Sequence, residues 1–201
     1  MIAIIDYGAG NLKSVEKALN ELGIKAFVTS DKEEIKSANG VILPGVGSFD
    51  SAINELRQKG LEGVIIEAIG LKKPFLGICL GYQLLFESSE EGKEKGLGIL
   101  KGNVKKIKEG IVPHMGWNRL IIKKKTPLLN GISSGAMVYF AHSYFPSPSD
   151  SAIIMTETDY GISFASSIVK DNLYGIQFHP EKSGEIGLEM LKNFGGLIKH
   201  V

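Results

Sequence analysis

The one cysteine of the chain, Cys79, lies in a segment that predicts a nucleophile. A short apolar run, Phe75–Ile78, ends at the cysteine and overlaps the pattern Gly77-Ile78-Cys79-Leu80-Gly81. A helical pattern follows. This is the elbow motif of hydrolases with cysteine in the serine position, and its two glycines let strand and helix approach closely. The cysteine then lies on a strained turn at a helix N-terminus, where the dipole favours a thiolate. The alternative interpretation of a lone cysteine is a small buried hydrophobic residue.

A cysteine nucleophile needs a general base and a residue that orients the base. Of the four histidines, His179 closes an apolar run and is followed by Pro180 and Glu181, whereas His200 is expected in solvent. Residues two apart in extended backbone point to the same side, so Glu181 can hold one ring nitrogen and leave the other for Cys79. On its own, His-x-Glu is also typical of an exposed charged pair. Together with the elbow, it predicts a Cys79–His179–Glu181 triad.

An oxyanion hole is the third requirement of such a site. Elbow folds take one backbone donor from the residue after the nucleophile, here Leu80, and another from a neighbouring loop. The run Val41–Leu43 is followed by Pro44 and then Gly45-Val46-Gly47, whose glycines let the backbone turn its amides toward a substrate. The N–H of Val46 or Gly47 is the expected second donor, although the same segment is also an ordinary turn after a strand.

A second glycine-rich segment imitates a dinucleotide-binding fingerprint. Ile2–Ile5 is followed by Gly8-Ala9-Gly10 and a helical pattern, and Asp31 lies about where the ribose acid belongs. Because Lys13 occupies the third glycine position, close helix packing is weakened and we expect no cofactor. The sequence also lacks a P-loop and a His-Glu-x-x-His pair, and we expect no metal.

The elements that position these residues alternate between strand and helix in the first half of the chain. The predicted strands are Ile2–Ile5, Ile24–Val28, Val41–Leu43 and Phe75–Ile78. The predicted helices begin near Leu12, near Ser30 or Asp31, at Phe49 and after Cys79, the last one holding Leu84, Leu85 and Phe86. Repeated strand–helix units predict a parallel sheet that is covered on both faces.

The second half contains β-like runs joined by charged or proline-containing segments. The runs are 104–107, 120–122, 138–144, 153–156, 164–169 and 173–178, and a closing helix is predicted over 186–198. Segments 88–96, 123–127 and 147–150 are expected to be loops. Since there is no internal repeat and no low-complexity linker, residues 1–201 are predicted to form one mixed α/β domain.

The composition excludes several classes of protein. The apolar fraction of 43% and charged fraction of 22% are typical of a folded globular chain. The 23 basic and 22 acidic residues leave a net charge of +1, too small to attract nucleic acid or a membrane surface. One cysteine allows no intrachain disulfide, and the first ten residues lack the features of a signal peptide or membrane span. We therefore expect a cytoplasmic protein.

Three segments of the chain resemble the signature regions of the class I (triad) glutamine amidotransferases. These are the elbow with its following Tyr-Gln, the Pro-Gly-Val-Gly loop and the Phe-His-Pro-Glu-Lys-Ser segment. More narrowly, the Pro-His-Met-Gly-Trp-Asn segment at 113–118 and the Asp-Tyr-Gly-Ala-Gly-Asn start are similar to the glutaminase subunits of imidazole glycerol phosphate synthase. The resemblance spans nearly the whole chain and implies a flavodoxin-like fold, with a central mixed, mostly parallel sheet flanked by helices.

The resemblance also implies a reaction. Cys79 attacks the side-chain amide of L-glutamine, His179 protonates the departing ammonia, and water cleaves the glutamyl thioester. Leu80 and the Gly45-Val46-Gly47 loop hold the oxyanion. The other residues that it implies in contact with glutamine are Gln83, His142, Ser143 and Tyr144. Burial in a strand would equally explain His142 and Tyr144.

The narrower resemblance, to the glutaminase subunits of imidazole glycerol phosphate synthase, implies a partner. In those enzymes the ammonia passes to a (β/α)8-barrel cyclase, which makes imidazole glycerol phosphate and AICAR from PRFAR in histidine biosynthesis. Because a barrel alone needs about 250 residues, we expect the cyclase to be a separate chain and the enzyme to be a heterodimer. Trp117 and Asn118 are implied to lie at that interface. A half-buried aromatic residue is the plainer interpretation of Trp117.

Three other interpretations stay open at this point. The chain could serve another synthase, in pyridoxal phosphate or anthranilate formation, and the partner that it binds would decide this. It could be a cysteine hydrolase of γ-glutamyl or peptide substrates, which would act without any partner. It could also be a non-catalytic scaffold protein, which would not react with glutamine analogues.

Overall fold

The computed structural model describes residues 1–198, so His200 lies outside the described residues. Within that range the helices are α1 (Leu12–Glu21), α2 (Lys32–Ser37), α3 (Phe49–Gln58), α4 (Glu62–Gly70), α5 (Leu80–Gln83) and α6 (Gly184–Gly196). The strands are β1 (Ile2–Ile5), β2 (Ala26–Thr29), β3 (Gly40–Leu43), β4 (Phe75–Ile78), β5 (Ser88–Ser89), β6 (Gly102–Lys106), β7 (His114–Arg119), β8 (Ile121–Ile122), β9 (Met137–His142), β10 (Tyr144–Pro148), β11 (Ile154–Asp159), β12 (Ser163–Lys170) and β13 (Leu173–Ile176).

The central sheet of the described chain has the strand order β2-β1-β3-β4-β13-β12-β11-β8. In this order the first five strands, β2, β1, β3, β4 and β13, are parallel to one another. The last three strands, β12, β11 and β8, each pair in antiparallel fashion with the strand before them. This mixed, mostly parallel sheet confirms the predicted fold class. Since β4 lies between β3 and β13, the segments that follow these three strands meet at one edge of the sheet, where ligands bind in such folds.

Helices bury both faces of the parallel strands. Along β1, Ile2 and Ile4 join an apolar cluster with α1 and α6, whereas Ala3 and Ile5 join a second cluster with α3 and α4. This alternation follows from the two-residue repeat of a strand. Complete burial of a residue such as Ile4 stabilises the fold by roughly 1.5–3 kcal/mol. The buried sheet therefore holds the segments that follow its strands in fixed positions.

Two smaller sheets cover that edge. One has the order β10-β6-β5, and the other pairs β7 with β9. The second pairing sets His114 opposite His142 and Trp117 opposite Tyr139. Two segments that are far apart in the sequence, 113–118 and 142–144, are thereby brought together.

The helix after Cys79 is shorter than predicted. It consists of the single turn α5, and Leu84, Leu85 and Phe86, predicted inside this helix, lie in turns. The carbonyl oxygen of Leu84 accepts a hydrogen bond from the N–H of Leu97 at 2.8 Å and is not available to a further helical turn. A contact with a distant segment thus ends the helix, and the apolar pattern of these residues gives no sign of it.

Other boundaries also differ from the prediction. The helix α4 and the strand β7 were not predicted, and residues 88–89 form a strand inside an expected loop. Ser147 and Pro148 belong to β10, because the ladder with β6 overrides their turn-like composition. In the described part of the chain, no helix combines the length and the apolar character that crossing a membrane requires.

Candidate active site

Cys79 lies on a sharp turn between β4 and α5. Its backbone has φ 53° and ψ −110°, which side-chain-bearing residues rarely adopt. Both flanking glycines are needed for close packing. A Cβ at Gly77 would lie 2.9 Å from the Cα of Tyr82, and one at Gly81 would lie 1.8 Å from the carbonyl oxygen of Leu43. The turn therefore has the strained geometry that the glycine spacing predicts, at the edge where β3, β4 and β13 end.

His179 and Glu181 follow β13, the strand beside β4. Nδ1 of His179 lies 2.8 Å from Oε1 of Glu181, and the two side chains are only 3% and 0% exposed. Burial lowers the pKa of His179, but hydrogen bonding and the negative charges of Cys79 and Glu181 outweigh it and raise this pKa to about 10. The three predicted residues thus form one buried group, in which the imidazole of His179 interacts with both Cys79 and Glu181.

Asn11 belongs to this group, and sequence reasoning missed it. Its Nδ2 donates to Oε1 of Glu181 at 2.5 Å, the same oxygen that faces His179. Asn11 has φ 71°, a left-handed conformation that asparagine tolerates better than most residues, and it immediately precedes α1. The available signal was the Asp-Tyr-Gly-Ala-Gly-Asn start, which ends in Asn11 and belongs to the resemblance, but this segment does not by itself indicate a role for the asparagine.

The predicted oxyanion loop follows β3 and lies against the elbow. The N–H of Leu80 donates to the carbonyl oxygen of Gly45 at 3.3 Å, so this predicted donor is engaged within the protein. Gly47 has φ 106°, a conformation that favours glycine, and the side chain of Val46 is partly exposed. Freeing the Leu80 donor for a substrate requires the Gly45 carbonyl to turn away.

Cys79 opens into a cleft of about 220 Å³. The lining residues are Val46, Gly47, Cys79, Leu80, Gln83, Glu91, Pro113, Met115, Ala141, His142, Ser143 and Tyr144. The structure therefore brings together all of the predicted oxyanion and glutamine-binding residues except Gly45, which lies behind Leu80. The amide nitrogen of Gln83 is already engaged, since it donates to the Tyr144 carbonyl and to Oε1 of Gln177, both at 3.0 Å.

Glu91 is a second residue that sequence reasoning missed. Among the described residues that line the cleft, it carries the one acidic side chain. Its carboxylate accepts a hydrogen bond from the N–H of Phe49 at 2.8 Å, which holds it at the start of α3. Glu91 lies in the charge-rich segment 88–96, which predicts a solvated loop. Because other acidic residues lie beside it in the sequence, nothing there distinguishes Glu91 as a site residue.

His142 and His114 form a buried pair beside the cleft. Nδ1 of His142 donates to the Tyr144 carbonyl at 2.9 Å, so its Nε2 accepts from Nδ1 of His114 at 3.0 Å. The His114 ring is stacked between Phe140 and Tyr160. Burial lowers the pKa of His142 to about 3 and that of His114 to about 4. Both rings are therefore neutral near pH 7 and act as hydrogen-bonding groups.

The strand β7 carries exposed apolar side chains next to the cleft. Met115 is 64% exposed and lines the cleft, and Trp117, on the same side of the strand, is 53% exposed. The ring of Trp117 meets that of Tyr139 edge-on at 6.2 Å. The amide nitrogen of Asn118 instead donates to the carbonyl of Asp159 at 2.9 Å. Of the two predicted interface residues, Trp117 is presented outward and Asn118 has an internal partner.

Comparison with known proteins identifies the family of this chain. The model of the family described as "Glutamine amidotransferase class-I" matches residues 3–196. The chain is 55% identical to the imidazole glycerol phosphate synthase subunit HisH of Caldanaerobacter subterraneus subsp. tengcongensis, covering 99% of both proteins. It is 53% identical to the subunit of that name from Moorella thermoacetica, covering 99% of this chain and 96% of the relative.

Solved structures share the fold. PurLQS from Thermotoga maritima has a TM-score of 0.80 at 22% identity, with 98% of each chain covered. The glutaminase domain of CTPS from Trypanosoma brucei has a TM-score of 0.66 at 17% identity, covering 100% of this chain and 95% of that one. With a family match over nearly its full length and relatives above 50% identity, this chain belongs to the class-I glutamine amidotransferase family.

Proposed function

We propose that this chain is the glutaminase subunit of imidazole glycerol phosphate synthase. It hydrolyses L-glutamine to glutamate and ammonia, and a cyclase subunit uses the ammonia to make imidazole glycerol phosphate and AICAR from PRFAR in histidine biosynthesis. The observation that carries the proposal is the buried Cys79–His179–Glu181 group, which opens into a cleft in a chain 55% identical to a HisH subunit. A cytoplasmic location goes with this role.

The first half of the reaction transfers the glutamyl group to sulfur. The Cys79 thiolate attacks the side-chain carbonyl carbon of glutamine, and the carbonyl oxygen becomes an oxyanion. The imidazolium of His179 donates its proton to the amide nitrogen, the carbon–nitrogen bond breaks, and ammonia leaves. The raised pKa of His179 fits this step, because the ring begins as the acid. Glu181 and Asn11 hold the ring in orientation.

The second half hydrolyses the thioester. Neutral His179 now takes a proton from water, the hydroxyl attacks the thioester carbon, and the carbon–sulfur bond breaks to release glutamate and the Cys79 thiolate. Glu91 suits the other end of the substrate, since a carboxylate at the cleft can pair with the α-ammonium of glutamine. The neutral rings of His142 and His114 leave that carboxylate unopposed by a positive charge.

The oxyanion loop supports a partner-dependent activity. Because the Leu80 N–H is bonded to the Gly45 carbonyl, one oxyanion donor is occupied in the isolated chain. Absence of a single donor typically lowers kcat by about 10²–10³-fold. We propose that binding of the cyclase, loaded with its nucleotide substrate, turns this loop and frees the donor.

The proposed partner surface is the exposed side of β7 with its neighbours. Met115 lines the cleft, and the other exposed apolar residues on β7, on the segment before it and on its partner strand β9 are Ile111, Val112, Trp117 and Met137. A partner that covers them also covers the cleft, which would keep ammonia from escaping into water. Apolar and aromatic anchors of this kind contribute most of the binding energy of an interface.

The test of the proposal is glutamate release from L-glutamine by the chain alone, with the cyclase, and with the cyclase plus PRFAR. We expect slow release alone and a rise of at least about 10²-fold with both. Hydrolysis that is indifferent to the cyclase would assign the chain to another synthase. No hydrolysis under any condition would favour the scaffold interpretation.

The interface has a test of its own. Trp117→Ala should weaken cyclase binding by about tenfold or more, as loss of a buried aromatic anchor does, and leave glutamate release by the isolated chain unchanged. Leu71→Ala is the matched control, because Leu71 is 61% exposed just after α4. Equal affinities of the two variants, measured by calorimetry, would place the interface elsewhere.

A further inference from the structure

Gln177 lies between β13 and His179, and its side chain is completely buried. Its Nε2 is 3.6 Å from Sγ of Cys79, within hydrogen-bonding distance for sulfur. Its Oε1 accepts a hydrogen bond from Nε2 of Gln83 at 3.0 Å. The amide of Gln177 therefore joins the nucleophile to a second buried amide.

The orientation of this amide follows from its neighbours. Nε2 of Gln83 also lies 3.0 Å from the carbonyl oxygen of Tyr144, which can only accept a hydrogen bond. The nitrogen of Gln83 must therefore face both Tyr144 and Gln177, and this uses its two hydrogens. Gln177 then has to present oxygen to Gln83 and nitrogen to sulfur. The N–H directed at Cys79 is fixed by the network.

We propose that Gln177 is a further catalytic residue, whose N–H holds the sulfur of Cys79 and stabilises its negative charge. Gln83 is then a positioning residue as well, because its Nε2 fixes the orientation of the Gln177 amide. The chemical reason is that an anionic acceptor strengthens a hydrogen bond roughly twofold over a neutral one. The donor thus favours the attacking thiolate over the thiol. This inference rests on the proposed function in that Cys79 is the nucleophile.

The test uses alkylation of Cys79 by iodoacetamide, which reports the thiolate and needs neither glutamine nor a partner. Gln177→Met keeps the length of the side chain and removes its N–H. We expect an alkylation rate about tenfold lower at pH 7, as for loss of a hydrogen bond to a charged group, and a pH profile moved to higher pH with an unchanged plateau. Gln177→Glu, which turns an oxygen toward sulfur, should lower the rate further.

Gln58→Met is the matched control, because Gln58 is an exposed glutamine at the end of α3, and it should react like the wild type. A Gln177→Met profile that superimposes on that of the wild type would overturn the role of Gln177. If this variant does not fold, the Gln177→Glu profile decides in the same way. A shifted profile in a chain that releases no glutamate would refute the proposed function and leave the Gln177–Cys79 interaction standing.

Gln83→Met separates the two roles of Gln83. If it acts through Gln177, alkylation slows and kcat for glutamine falls more than KM rises. A raised KM with unchanged alkylation would show that Gln83 binds glutamine directly, and would overturn its positioning role.

Discussion

Replacing His142 with phenylalanine should reduce the sensitivity of the protein to acid. The His142 side chain is 6% exposed, and burial lowers its pKa to about 3, against the opposing effect of its hydrogen bond to the Tyr144 carbonyl. In the unfolded chain a histidine has a pKa of about 6.5. Below that pH the unfolded state binds a proton that the folded state does not, so wild-type stability falls as the pH falls.

The size of the effect follows from proton linkage. One histidine that is neutral in the fold and charged when unfolded lowers the free energy of unfolding by up to about 1.4 kcal/mol per pH unit, or about 2 kcal/mol between pH 6.5 and 4.5. His142→Phe removes this dependence but leaves the Nδ1–H of His114 without its acceptor, which costs about 1–3 kcal/mol at any pH. The variant should therefore be less stable at pH 7 and about equal to the wild type, or more stable, near pH 4.5.

The assay is urea unfolding of both proteins at half-unit steps from pH 7 to pH 4.5, with linear extrapolation to water. The carboxylates of the two proteins titrate alike, so they cancel in the difference between the free energies of unfolding. A difference that stays constant with pH would show that His142 titrates normally in the fold. A difference that widens toward acid would mean that His142 is charged there, and would refute the reasoning.

Three further predictions concern the active site. Cys79→Ala should abolish glutamate release with the cyclase present and leave the unfolding midpoint nearly unchanged; measurable turnover by this variant would remove Cys79 from the mechanism. Glu181→Gln keeps an acceptor for Asn11 and His179 and removes only the charge. The factor by which its kcat falls should therefore be roughly one tenth of the factor for His179→Ala. Equal losses in steady-state kinetics would contradict an orienting role for Glu181. Gly47→Ala forces a side chain into φ 106°, which costs the resting loop about 1–2 kcal/mol, so glutamate release by the chain without the cyclase should rise by roughly tenfold; unchanged release would show that the loop does not leave this conformation when it turns.

Local spacing was enough to predict the sharp turn at Cys79 and the pairing of His179 with Glu181. The apolar run Phe75–Ile78 ends at Cys79, and a glycine lies two residues before and two residues after this cysteine. This local pattern is enough to predict the turn. His179 and Glu181 are two residues apart, so extended backbone already puts them on one side. Adjacent parallel strands β4 and β13 then bring base and nucleophile together. These features depend on short segments and on the order of strands in a common kind of sheet.

Contacts between distant segments could not be predicted in this way. Asn11 reaches Glu181 across 170 positions of sequence, and no periodicity indicates such a pair. The early end of α5 depends on the N–H of Leu97. The hydrogen bonds from the amide nitrogen of Gln83 to Gln177 and Tyr144 form because α5, β10 and the segment after β13 meet there. Such hydrogen bonds exist only once the tertiary fold is formed.

The most direct test of the central claim is covalent labelling by a glutamine analogue that carries an electrophilic carbon in place of the side-chain carboxamide. Mass spectrometry of the digested protein would locate the label. We expect one label, on Cys79, that excess L-glutamine prevents and that is lost in His179→Ala at neutral pH. A label on another residue, or labelling of Cys79 that L-glutamine does not reduce, would contradict it.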